Sequence, residues 1–532
     1  LAIALTYGLQ VWPQAFRAAT IVQDDARQHL VWMSRFADAN ALPQDLIADY
    51  FQSVAPWGFV GLYQAMATIG IQPLLLSKLL PPVLALLTTG MAYLLWLEFL
   101  PLPVTAFVAT ALFNQNFWMR DDLASASPRA FLNLIFLAFL YWLVRGAWWP
   151  CLGAIVLLGG FYPQYVFVAA GILLLRLLQK PQQSKFLIAG LGVAGLILLL
   201  YALRASTFGP TISATEAKTL LEFAPAGRAR FFFDDFGRYW LTGGRSGLQI
   251  PLDPPLLGLG LLLPVLLRFP ARWPLLRQSQ NLDLLGQLTT VALAMFLIAH
   301  ALLFKLHLPS RYTQHSLRIV LAMAAAIVLT VLLDAAWRSL VVPRWTAIGL
   351  TVLTGCVLIA YPLTLGNFPK TTFVQGSATP IYEFLARQPP DTLTASLSEE
   401  ANFLPIFAQR STLVGSEYAI PYHVGYYRQF RQRVLDLLQA QYSSDPATVQ
   451  RVLQTYGIDF WLVDRAAFQP AYLRQNGWLR QYQPAQTEAL KHLEADRPPL
   501  IAQSLSRCTV AETEAIVLLN ATCLGSPGAT AP

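Results

Sequence analysis

Apolar runs near 1–19, 78–97, 100–118, 129–145, 148–160, 162–178, 186–204, 255–270, 286–304, 317–337 and 345–365 alternate with polar connections through the first two-thirds of the chain. A helix needs about 20 mostly apolar residues to cross a hydrocarbon core about 30 Å thick. Backbone groups in lipid must be bonded within their own segment, so each run predicts a membrane helix, about eleven in all. After Pro369 the pattern changes. Helical periodicity over 380–388 and 427–441 alternates with strand-like runs over 392–396, 411–415 and 458–463, and 510–527 reads as a further strand and a frayed tail. Such alternation predicts a small α/β unit. The run Ile458, Phe460, Trp461, Leu462, Val463 is nearly continuous in apolar residues, the mark of a strand buried on both faces. The expected architecture is an all-α polytopic transmembrane bundle over 1–368, with a long first outer loop at 20–77, followed by a small soluble α/β domain over 369–532.

Composition agrees with a lipid-facing surface. The 532 residues are 55% apolar and only 12% charged, where soluble domains carry about 25% charge, and the mean hydropathy is +0.47. The net charge of +8 comes with no basic stripe and no zinc spacing, which excludes a nucleic-acid partner and leaves the bilayer. Arg176, Lys180 and Lys185 share one short connection, Arg268, Arg272 and Arg277 another, and Arg338 and Arg344 a third. With eleven spans all three fall on one side, taken as cytoplasmic, so the C-terminus lies outside. Segments 20–77, 119–128, 205–254, 305–316 and everything after about 366 then face the extracytoplasmic side of a bacterial plasma (inner) membrane. The chain opens on Leu1, so the first apolar run is expected to be incomplete and to serve as the targeting segment. Cys151 and Cys356 sit in apolar runs, whereas Cys508 and Cys523 are either a disulfide or two free thiols.

The unusual polar clusters all fall on the outer side. Gln23-Asp24-Asp25-Ala26-Arg27-Gln28-His29 opens the first outer loop, and Arg120-Asp121-Asp122 follows the third span, leading to Ser127-Pro128-Arg129. Adjacent carboxylates at a membrane surface are costly unless solvated, paired or used. Each pair could also supply nothing more than a helix N-cap. The rest of loop 20–77 interleaves Trp32, Phe36, Tyr50, Phe51, Trp57, Phe59 and Tyr63 with charge, which predicts amphipathic helices lying in the interface. Tyr162-Pro163-Gln164-Tyr165 starts the sixth span, and Pro309-Ser310-Arg311-Tyr312 the tenth, with His307, His315 and Arg318 nearby. An arginine at a helix start near the headgroups can grip a phosphate, or simply anchor the helix.

Taken together, Asp24-Asp25 in a long first outer loop, Arg120-Asp121-Asp122 in a later one, Arg311-Tyr312 and a soluble tail carrying Tyr456-Gly457-Ile458-Asp459-Phe460-Trp461 resemble the GT-C glycosyltransferase superfamily. The chain lacks the WWD-type acceptor motif of oligosaccharyltransferases, which speaks against asparagine glycosylation. The resemblance implies inverting transfer of a sugar from a polyprenyl-phosphate donor to a glycan, lipid or protein acceptor. It makes Asp24, Asp25, Asp121 and Asp122 the catalytic candidates, with an Asp of the first pair as base. Arg311, Tyr312, Arg27, Arg120 and Arg129 are the donor-phosphate candidates. A divalent cation (Mg or Mn), if used, would fall to Asp24, Asp121 and Asp122. The four carboxylates are expected to line one cavity open to water and to lipid. Two other classes fit the span pattern: another envelope-polysaccharide polymerase or ligase, and a polytopic transporter. The near absence of charge within the spans weighs against ion-coupled transport.

Overall fold

In the computed structural model, the described residues are 1–179, 182, 184–204, 207–495 and 498–525. Lys180 and the tail after Gly525 lie outside them. Among the described residues, six helices are long and apolar enough to cross a membrane: Pro73–Leu97, Pro128–Arg145, Ser184–Leu203, Asp283–Ala301, Pro309–Arg338 and Arg344–Thr364. Pro73, Pro103, Pro128 and Pro309 each open a long helix, the position where a missing N–H costs nothing and a fixed φ helps. Helices Ser184–Leu203 and Arg344–Ala360 expose rows of Leu, Ile and Val, such as Leu196, Leu199, Leu200, Val352 and Leu353. Surfaces of this kind suit lipid.

The remaining predicted runs differ in form. The stretch 1–19 divides into Ala2–Leu9 and Trp12–Ala15, with Pro13 in the second piece. Trp148–Phe161 and Gln164–Gln179 are short apolar helices. The run at 255–270 becomes a 3₁₀ turn Pro255–Leu262 followed by Leu263–Leu266. It packs closely on Pro309–Arg338, where a Cβ on Gly260 would meet the Leu321 carbonyl oxygen at 3.0 Å. Glycine at 260 and alanines at 322 and 324–326 let the two backbones approach. Pro309–Arg338 is the central helix, buried along most of its length.

The first loop folds into the helices Ala26–Leu30, Leu46–Val54 and Trp57–Thr68, and two of its aromatics, Tyr50 and Phe51, turn toward the C-terminal third. Tyr50 stacks on Tyr426 with ring centroids 3.8 Å apart and donates to or accepts from His423 Nδ1 at 3.0 Å, and Phe51 meets Tyr418 edge-on. Burying a ring against another ring satisfies the same apolar area that lipid would, with added geometric preference.

The C-terminal third carries a five-stranded sheet in the order β4-β3-β5-β7-β6. Its strands are β3 (Leu393–Ser396), β4 (Ser411–Thr412), β5 (Phe460–Asp464), β6 (Thr509–Glu512) and β7 (Ile516–Asn520). β3 pairs in parallel with β4 and β5, while β7 is antiparallel to β5 and β6. The central strand begins at Phe460, two residues later than the apolar run suggested, and Phe460 to Val463 are all buried. Helices Thr379–Ala386 and Val424–Gln441 stand where periodicity placed helices. Cys508 and Cys523 form a disulfide. A separate two-stranded ribbon joins the two ends of the helical part: β1 (Ile21–Gln23) pairs antiparallel with β2 (Phe373–Gln375).

Candidate active site

The ribbon places the first acidic pair. Val22 is buried opposite Val374, and Asp24 N donates to the Thr372 carbonyl at 3.1 Å. The helix that follows is not capped by either aspartate, because Gln23 Oε1 accepts from Ala26 N at 3.0 Å. Both carboxylates are thereby left to other partners. Asp24 pairs with Arg27. Asp25 Oδ2 accepts from Arg129 Nη2 at 2.5 Å.

The same chain segment holds the second pair. Lys370 N donates to the Trp118 carbonyl at 2.8 Å, at the end of helix Pro103–Trp118. Thr372 Oγ1 donates to Asp121 Oδ2 at 3.0 Å. Residues 370–376 therefore stitch both acidic loops together. The N-cap of helix Pro128–Arg145 is Ser127, so neither Asp121 nor Asp122 caps it.

Arg129, in the first turn of that helix, is the hub. Its Nε lies 2.9 Å from Asp122 Oδ1, and its Nη2 lies 2.5 Å from Asp25 Oδ2 and 3.5 Å from Asp121 Oδ1. Arg318 Nη2 donates to Asp122 Oδ2 at 3.2 Å, and His315 Nδ1 is 4.0 Å from the same oxygen. Arg318 is wholly buried, its guanidinium lying 5.4 Å from the centroid of the Phe117 ring. Arg311, His315 and Arg318 follow each other at i, i+4 and i+7, one face of one helix. That stripe was the sequence signal for the missed partner Arg318.

Electrostatics divide the carboxylates into two kinds. Burial opposes ionisation of Asp122, but Arg129 and Arg318 prevail and hold its carboxyl well below the ordinary range. Burial likewise opposes ionisation of Asp25, but Arg129 first, and Arg311 after it, help to hold its carboxyl below the ordinary range. Asp122 is 2% exposed and Asp25 is 37% exposed. Asp122 is thus locked between two guanidinium groups, while Asp25 faces outward. His29, behind them, is pushed down to about 4 by its burial and is neutral at pH 7.

The donor-phosphate candidates are placed as differently. Arg27 and Arg129 are occupied by carboxylates. Arg120 Nη2 is held by Gln249 Oε1 at 3.0 Å. Tyr312 turns into the bundle and donates its hydroxyl to the Leu306 carbonyl at 2.9 Å. Arg311 has only Gln314 Oε1, at 3.4 Å, and no carboxylate partner among the described residues.

No protein-family model matches the chain, and no curated protein matches its sequence. Solved structures do match. The apo oligosaccharyltransferase of Archaeoglobus fulgidus aligns over 91% of this chain and 71% of its own, with a TM-score of 0.50 and 13% identity. The fold is GT-C. ArnT from Cupriavidus metallidurans, in its apo state, aligns over 99% of this chain and 98% of its own at a TM-score of 0.49 and 14% identity. Its form bound to undecaprenyl phosphate gives a TM-score of 0.49 as well. No group of three or more His, Cys, Asp or Glu side chains gathers as a metal site among the described residues. Asp24, Asp121 and Asp122 are turned to Arg27, Thr372, Arg129 and Arg318, so the set does not fit a divalent cation and no step is derived through one. Cavities of about 390 and 320 Å³ lie elsewhere, the first lined by Tyr93, Leu94, Phe107 and Asn114, the second by Met33, Phe36, Leu74 and Pro405. Asp25, Asp121 and Asp122 converge on one arginine, but they line neither cavity.

Sequence reasoning missed three further groups. Glu417, Arg228 and Thr372 come from ordinary-looking polar stretches, and only the folded chain brings them to the acidic loops.

Proposed function

We propose that the chain is an integral membrane glycosyltransferase that moves a sugar from a polyprenyl-phosphate donor to an acceptor at the extracytoplasmic face, with inversion at the anomeric carbon. The observation that carries this reading is the convergence of Asp25, Asp121 and Asp122 on Arg129, with Arg311 on the neighbouring helix, in a GT-C fold. The polyprenyl tail would lie against the apolar helices, and the acceptor would arrive from water. The acceptor oxygen attacks the anomeric carbon, its proton passes to a carboxylate, and the bond to the phosphate oxygen breaks with its electron pair leaving on the phosphate.

Asp25 is the base in this reading. It is ionised at neutral pH, outward-facing, and within the field of Arg311. Its lowered proton affinity suits a reaction in which the sugar–phosphate bond is largely broken before the proton moves. Asp122 and Asp121 position Arg129, and Arg129 in turn fixes Asp25. Arg311 stabilises the departing phosphate, the role for which an arginine without a carboxylate partner is suited. About eleven spans, with residues 20–77 and 369–532 outside a bacterial inner membrane, complete the reading.

Purified protein in liposomes, given radiolabelled polyprenyl-phosphate sugars, tests the proposal. Asp25→Asn keeps the shape and removes the proton acceptor, so turnover should fall by at least about 100-fold with donor binding little changed. Wild-type turnover with Asp25→Asn would overturn the assignment of the base.

A further inference from the structure

Glu417 lies in the C-terminal third, 3% exposed, in the short turn Ser416–Tyr418. Its carboxylate receives three side chains from two other parts of the molecule. Arg27 Nη2 donates at 3.2 Å, Gln28 Nε2 at 2.5 Å and Arg228 Nη2 at 2.6 Å. Its own backbone is fixed, since Glu417 N donates to Asn402 Oδ1 at 2.9 Å and Asn402 Nδ2 donates to Glu399 Oε2 at 2.9 Å. Arg27 is 5% exposed and sits over the Phe403 ring, 4.9 Å from its centroid. The Nη2 of Arg27 is shared between Glu417 and Asp24. A rigid net in the C-terminal third thus sets Arg27, and Arg27 sets the residue next to Asp25.

We infer that Glu417 is a positioning residue, through which the C-terminal third holds the first-loop carboxylate pair by way of Arg27. The inference rests on the glycosyltransferase reading for its consequence, but not for its geometry. A buried ion pair is weak evidence of stabilisation, because apolar replacements often do as well. Its three-way connection between Ala26–Leu30, residue 228 and the C-terminal third is better matched to placing a loop.

The groups facing Glu417 are Arg27 and Gln28 from the first loop, Arg228 from the 205–254 segment, Asp24, and its own neighbours Tyr418 and Glu399. Burial pushes its carboxyl up to about 7, with Arg228 and Arg27 pulling down and Asp24 pushing up. Arg27 and Gln28, both from the first loop, favour the charged carboxylate, so the pairing with the loop draws on the charge of Glu417.

The test is amide hydrogen exchange over residues 24–30 of the full chain in lipid nanodiscs, corrected for intrinsic rates, beside turnover with a polyprenyl-phosphate sugar. Glu417→Gln, which keeps the shape but removes the charge, should raise exchange over residues 24–30 at least about tenfold over the wild type at about pH 7.5. Its kcat should drop at least about tenfold while the donor KM stays within about twofold. Glu417→Gln with wild-type exchange and wild-type kcat overturns the inference. Exchange over residues 24–30 that Glu417→Gln raises, with no sugar transfer by the wild type, upholds the positioning of the loop and removes the glycosyltransferase reading instead.

Discussion

Arg129 touches three carboxylates from two loops, and the consequences of changing any of the four differ. Asp122→Asn would leave Arg318 buried and Arg129 half-paired; removing one partner of a buried pair costs about 3–5 kcal/mol. Thermal unfolding should show that loss, together with lost activity. Asp25→Asn removes a partly exposed carboxylate, so its effect should fall on turnover with little change in unfolding temperature. Arg311→Ala should raise the donor KM as well as lower kcat, because the phosphate is present before and after transfer. The pH dependence has a definite sign. Asp25 is held below its ordinary value, so the ionised base persists above about pH 4 and its loss should be felt only as the pH falls below that. The two Asp pairs were legible in the sequence because uncompensated charge at a membrane surface is rare. Glu417 was not, since a Ser-Glu-Tyr triplet in a polar stretch carries no such penalty until the fold buries it.

At the scale of elements, the ribbon of β1 and β2 ties the two acidic loops together. It brings residue 24 beside residue 372, and Thr372 reaches Asp121. Val374→Pro removes a backbone N–H from this ladder without touching a charged group. Turnover should fall at least about tenfold, since a misplacement near 1 Å can cost about 100-fold, while circular dichroism of the helices stays unchanged. Unchanged turnover would show that the ribbon does not align the acidic loops. Periodicity located the apolar helices, the helix Val424–Gln441 and the central strand, because each repeats its pattern over many residues. It did not find the ribbon: three-residue strands have no period to detect, and their partners are about 350 residues apart. The partner of Tyr50 was not legible for a related reason. A ring row suited to lipid is equally suited to another ring, and Tyr426 is far away in sequence.

For the whole molecule, the account needs the first loop and the C-terminal third on one side of the membrane, as their ribbon and the contacts of Tyr50 and Glu417 require. Cysteines placed at the exposed Lys185 and Ser444, with Cys151 and Cys356 replaced, should label from opposite faces. Labelling from the same face would refute the assigned topology. The most direct test of the central claim is sugar transfer in liposomes from a radiolabelled polyprenyl-phosphate donor, wild type against Asp25→Asn. The account predicts transfer by the wild type and at least about 100-fold less by Asp25→Asn at equal donor binding. Equal transfer by both proteins, or donor consumption by neither, would contradict it.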